Sequence, residues 1–147
     1  MMPLDSSAIT VRWADKNDIE ECLDFAMPRY AASFPHMTRD GLREWCRNLI
    51  LDPNTVFLRT DHACGIAHFD ECESVFEPMP IMTEIFVVAA EGAHPYEALS
   101  IYSEMKEIAR RLGARAFDFG EATGVDLSSI ATRVGGAKRQ TVYRVAL

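Results

Sequence analysis

Apolar and polar positions along this chain follow two alternating periods. Residues 9–13 alternate strictly and are rich in β-branched and aromatic side chains, which predicts a strand. Asp15 then stands as an N-cap, with Ile19, Cys22, Leu23 and Ala26 on one helical face. That helix is expected to run to about residue 26 and to end at Pro28. Thr38 caps a second helix carrying Leu42, Trp45, Cys46, Leu49 and Ile50, which Asp52, Pro53 and Asn54 stop. Residues 55–59 and 64–69 are short apolar runs around a polar turn, the pattern of a hairpin. A loop over 71–80 leads into an apolar strand over 81–88, expected to be central in its sheet. Pro95 suits the first turn of a long helix whose buried stripe is Leu99, Tyr102, Met105, Ala109 and Leu112, with Gly113 past its end. A strand over 116–119, a short helix over 126–134 stopped by Gly135 and Gly136, and a closing strand over 141–145 complete the order.

A chain of 147 residues that is 48% hydrophobic can bury a core of its own, and no repeat, linker or low-complexity tract divides it. One domain spanning residues 1–147 is expected. The net charge of −7 argues against nucleic acid and anionic membranes as partners. The middle of the chain is acidic, whereas Lys106, Arg110, Arg111, Arg115, Arg133, Lys138, Arg139 and Arg144 make the C-terminal part basic. Such a dipole suits self-association or a protein partner. Cys22, Cys46, Cys64 and Cys72 have no CxxC spacing, and residues 1–7 have no leader-like pattern. Reduced thiols in a cytoplasmic compartment are therefore expected. Cys64, His68 and Cys72 lie too far apart along a strand to share one metal ion.

The candidate chemistry lies at the strand-to-helix junction over 83–99. No lysine or arginine occurs between Arg59 and Lys106, yet that stretch carries Asp61, Asp70, Glu71, Glu73, Glu77, Glu84, Glu91, Glu97 and Glu104. A phosphate cradle at a helix N-terminus needs free N–H groups, glycines and usually a cation. Here Gly92 is the one glycine, Pro95 removes a donor, and the flanking carboxylates oppose an anion.

The order of elements resembles the GNAT N-acetyltransferase superfamily over nearly the whole chain. The resemblance is carried by residues 11–19, by Glu84-Ile-Phe-Val-Val88 before the long helix, by residues 109–114, and by residues 130–136 with Tyr143 and Arg144. Within that superfamily the chain is most similar to short GNAT-like proteins of tailed bacteriophages, among them an internal virion or assembly protein. The resemblance implies an α/β fold of α+β type, a single GNAT-like domain with a mixed, mostly antiparallel sheet flanked by helices. It implies that the edge from Phe86 to Val88 would bond the pantetheine of acetyl-CoA, that Gly92 would belong to the cofactor turn, and that Glu84 would be the general base. The family's Arg/Gln-x-x-Gly-x-Gly/Ala turn is not matched by residues 92–98, and the tyrosine expected on the last helix is replaced at about Ala131.

Each candidate also has a structural role open to it. Glu84 is either a base raised by burial or an edge or salt-bridged carboxylate. Tyr96, Tyr102 and Tyr143 are substitute acids in principle, but Tyr102 and Tyr143 fall on core positions. His94 suits a helix start, and Phe34, His36 and Trp45 either line a substrate entrance or pack there. Phe117, Asp118, Phe119 and Gly120 match a kinase tripeptide by letters alone. A GNAT-like protein with a degenerate acetyl-CoA loop, acting as a non-catalytic interaction or virion-assembly component, accounts for Pro95, the missing cations and Ala131 together. The alternative is an acetyl-CoA-dependent N-acetyltransferase acting on an amine or protein substrate. Either would lie in the cytoplasm, or in the host cytoplasm or virion if phage-encoded.

Overall fold

A computed structural model describes residues 9–71, 78–120, 127–137 and 145–146. Its elements are β1 (Arg12–Trp13), α1 (Ile19–Tyr30), α2 (Arg39–Ile50), β2 (Thr55–Arg59), β3 (Ala63–Asp70), β4 (Ile81–Ala89), α3 (Pro95–Arg111), β5 (Ala116–Asp118) and α4 (Ser128–Val134). The five strands form one sheet in chain order. Neighbours from β1 to β4 are antiparallel, and β4 and β5 are parallel. This is the α+β, mostly antiparallel arrangement expected from the sequence.

Alternation along the strands separates two cores. Phe57, Cys64, Ile66 and Val88 pack against α1 and α2, with Cys22, Leu23, Ala26 and Cys46. Val56, Leu58, Ala67 and Met82 face α3, meeting Ile101, Met105, Ile108 and Ala109. Gly65 keeps this second face close. A Cβ there would lie 2.8 Å from Val87 Cγ2 and 3.0 Å from Ile101 Cγ2. Arg59, 7% exposed, is held between Asp18 and Glu21 with its guanidinium over the Phe25 ring. A buried arginine without those carboxylates would be strongly destabilising.

Several local expectations change. Of residues 9–13, Arg12 and Trp13 alone pair with β2. Asp15 caps a short 3-10 turn over Lys16–Asp18, accepting from the Asn17 N–H at 2.8 Å, and α1 begins only at Ile19. Pro28 does not end α1, which continues to Tyr30. Being in the last turn, its missing N–H costs one bond rather than a helix. Leu112 is not on the buried stripe and is 50% exposed. It is the C-cap of α3, where the chain leaves the sheet through Gly113 at φ +85°. There Ala114 N–H bonds Ala109 O and Gly113 N–H bonds Arg110 O, a Schellman closure. The expected closing strand falls on 141–145, of which 141–144 lie outside the described residues.

The cysteines are not all reduced. Cys22 of α1 and Cys64 of β3 form a disulfide with Cα atoms 6.0 Å apart, and Cys46 is a buried free thiol. The pair spans 42 residues, and it meets because α1 crosses the face of β3, which no local spacing announces. Among the described residues no helix is long and apolar enough to cross a membrane.

Candidate active site

β4 and β5 pair only over Ile81, Met82 and Thr83, opposite Ala116, Phe117 and Asp118. Beyond that point the strands part. On the other side of β4, the partner of Ile66 is Phe86 and that of Ala67 is Glu84, so Ile85 is an extra residue in a bulge. A bulge bends its strand and increases its twist. The bend and the short β5 together open a fork, and among the described residues the edge of β4 from Glu84 to Ala89 carries no strand on the β5 side.

Glu84 stands where the fork opens. Its carboxylate accepts the Tyr102 hydroxyl from α3 and the Gly120 N–H at 3.3 Å. Burial pushes its pKa above the usual carboxylate value of 4.5, against the lowering effect of those two bonds. Tyr102 is 2% exposed, packs on Phe119 at 5.2 Å, and is held protonated by burial and by the Glu84 charge. Across the sheet, the Tyr30 hydroxyl donates to Val87 O at 3.2 Å, satisfying an acceptor of the strand that bounds the fork. Burial and Glu84 likewise keep Tyr30 protonated. Trp45 stacks on Phe86 at 6.2 Å, and Tyr30 meets Phe86 edge-on at 6.4 Å.

The start of α3 has a different character. His94 N-caps the helix, its Nδ1 accepting from Tyr96 N–H at 3.1 Å, while its carbonyl takes the Glu97 N–H at 3.0 Å. Glu97 does not face an anion site as its sequence position suggests. It is 5% exposed and bonds Thr60 Oγ1 and His62 N–H, each at 2.9 Å. A cation does reach this region from afar, since the Arg133 guanidinium of α4 lies 5.6 Å from the centre of the Tyr96 ring. Gly92, at φ +79°, precedes the helix with open space around its Cα.

The sequence-predicted residues are thus divided. Glu84, Phe86 and Val88 lie on one strand at the fork, with Val88 buried toward α1, and Gly92 sits apart in the turn before α3. Tyr102 and Tyr30 are the residues that sequence analysis assigned to packing or passed over. Their rings are core, but their hydroxyls reach the fork. Cys64 is consumed by the disulfide, and His68 lies between Asp52 and Asp70 at 2.9 and 3.3 Å. Phe117, Asp118 and Phe119 are the end of β5 and its exit. Cys72 and Tyr143 lie outside the described residues.

No protein-family model and no curated relative matches the sequence. Solved structures do match. A transcriptional regulator from Bacillus halodurans C-125 superposes with a TM-score of 0.78 at 9% identity, over 95% of this chain and 99% of its own. A GNAT family acetyltransferase from Staphylococcus aureus gives 0.66 at 11% identity, over 95% and 98%. An aminoglycoside 6'-N-acetyltransferase from Acinetobacter haemolyticus gives 0.69 at 11% identity, over 94% and 97%. Identities this low establish the fold, which is GNAT-like, and leave activity to be argued from the site. These neighbours give no support to a bacteriophage connection.

Proposed function

We propose that this protein is an acetyl-CoA-dependent N-acetyltransferase in which Glu84 accepts the proton of the acceptor amine. The observation that carries the proposal is the fork itself, with a carboxyl raised by burial standing where β4 parts from β5. The edge of β4 over residues 85–88, which carries no strand on the β5 side among the described residues, suits the amides of a pantetheine arm. When bound, acetyl-CoA supplies the activated thioester. The chain's own residues do the rest. Glu84 takes the amine proton, and the Gly120 N–H and Tyr102 hydroxyl hold its carboxylate in place. Ala131 cannot protonate a leaving thiolate, so the Tyr30 hydroxyl, which reaches β4 at Val87 O, is the candidate acid among the described residues.

A second function is favoured by one observation. The first N–H groups of α3 are capped by His94, which leaves less for a diphosphate than a family-type turn would, and fits a GNAT-like interaction component. Acetyl transfer to a panel of primary amines separates the two. Under the enzyme proposal, transfer is detected, Glu84→Gln lowers kcat by about 10²–10⁴-fold, and the acid limb of the pH–rate profile lies above the ordinary carboxylate range. No transfer, together with no acetyl-CoA binding, would establish the interaction role. Transfer indifferent to Glu84→Gln would remove Glu84 as base.

A further inference from the structure

A cavity of about 240 Å³ lies between the second half of α3, β5 and the end of α4. It is smaller than the roughly 300–1,000 Å³ of sites for drug-sized molecules, so its match is a single ring with a short substituent. Phe117, Phe119 and Val134 give it an apolar wall, the two phenylalanine rings 5.4 Å apart with planes at 41° to one another. Both rings are half-buried, which leaves aromatic surface against which another ring packs. Lys106, Arg110 and Arg115 also line the cavity, and no carboxylate does among the described residues. That gathering of cations is unexpected in a chain whose Asp and Glu outnumber its Lys and Arg by 22 to 15.

The three cations are not equally committed. Lys106 Nζ donates to Val134 O at 2.8 Å, answering the carbonyl end of α4. Arg110 is paired with Glu107 at 2.6 Å on its own helix. Arg115 is exposed, and its guanidinium has no hydrogen bond or ion pair among the described residues. Its main-chain N–H bonds Pro80 O at 2.7 Å, which fixes the root of that side chain beside the start of β5. The cavity therefore sets one uncompensated positive charge beside an aromatic wall. A guanidinium matches a carboxylate through two parallel hydrogen bonds, and a single charge balances a monoanion rather than a phosphate. We propose that this cavity binds a small aromatic carboxylate, its ring against Phe117 and Phe119 and its carboxylate on Arg115. The site is distinct from the acetyl-CoA fork, and its binding does not depend on the acetyltransferase proposal. Phe119, whose ring also packs on Tyr102 at 5.2 Å, joins the two regions.

The test is a ligand-observed NMR titration of the full chain with benzoate, and with benzamide as its neutral counterpart of the same size. Benzoate is expected to bind with a dissociation constant of about 1 mM or tighter, and benzamide roughly tenfold more weakly. Arg115→Gln is expected to weaken benzoate roughly tenfold while leaving benzamide unchanged, and Arg115→Lys to restore part of the loss. Arg47→Gln removes an exposed cation from α2, on the other face of the sheet, and is expected to change neither. Equal affinities for benzoate and benzamide overturn the proposal, as does a loss in Arg47→Gln as large as in Arg115→Gln. No binding of benzoate at about 10 mM overturns it as well. Displacement of benzoate by an equal concentration of inorganic phosphate would make this a general anion site, and competitive displacement by acetyl-CoA would put benzoate in the fork. Either result overturns the proposal, whereas benzoate binding that persists with acetyl-CoA present supports it.

Discussion

The fork and the start of α3 lie along one stretch of chain, yet they handle polar groups in opposite ways. At the fork, β4 gives up pairing with β5 after Thr83, and a carboxyl, two tyrosine hydroxyls and a strand edge are left facing the same opening. At α3, the polar groups close on one another: His94 caps Tyr96 and Glu97, and the Glu97 side chain is drawn inward to Thr60 and His62. Chemistry is available where regular hydrogen bonding stops short, and not where capping completes it. The local charge of the sequence suggested that the α3 turn repels anions. In the structure the Tyr96 and Glu97 N–H groups of that turn are already bonded to His94.

The largest expected effect is at the fork. Tyr102→Phe leaves a buried Glu84 oxygen without its donor and is expected to cost about 1.5–3 kcal/mol when Glu84 is ionised. The pH dependence follows from the raised Glu84 pKa. Between the ordinary carboxylate value and the folded value, the native state holds the extra proton, so stability falls as pH rises through the folded value. Urea titrations across pH should show that decline in the native protein and a steeper one in Tyr102→Phe. A pH-independent difference would show that the hydroxyl matters only for packing.

At the α3 turn, Glu97→Ala strands Thr60 Oγ1 and His62 N–H and is expected to cost about 1–3 kcal/mol by denaturant melt. Under the same contrast, kcat should change far less than with Glu84→Gln. A loss of catalysis out of proportion to stability would make Glu97 part of the site. His94→Ala removes one side-chain cap and should cost about 0.5–2 kcal/mol, measured in the same way. Leu112→Ala marks the lower end, at about 0.5 kcal/mol or less, because Leu112 is half exposed at the helix end. A cost of several kcal/mol would return Leu112 to the core.

The fold was largely legible because each element carries its own period and punctuation. Thr38, Gly113 and Gly135 stand at the helix ends that their residue types announce. Glu84 was legible as a polar residue ahead of an apolar run. What stayed hidden depends on tertiary approach. Periodicity says that Tyr102 is buried, which it is, but not that the depth of α3 over the sheet brings its hydroxyl to Glu84. Arg133 reaches Tyr96 only because α4 packs beside α3. The Cys22–Cys64 disulfide needs α1 laid across β3, and α1 runs past Pro28 to Tyr30, whose hydroxyl meets Val87 O. Proline rules alone placed the helix end before the very residue that reaches the fork.

The contrast between the two regions is tested most directly by calorimetry with acetyl-CoA and with S-acetylpantetheine, which lacks the nucleotide and its phosphates. If the fork holds the donor and the self-capped α3 turn adds little, both ligands bind, and removing the nucleotide weakens affinity by about tenfold or less, roughly 1.4 kcal/mol. A loss of about a thousandfold, with acetyl-CoA still tight, would mean that the α3 turn is the principal anchor, and would contradict the account.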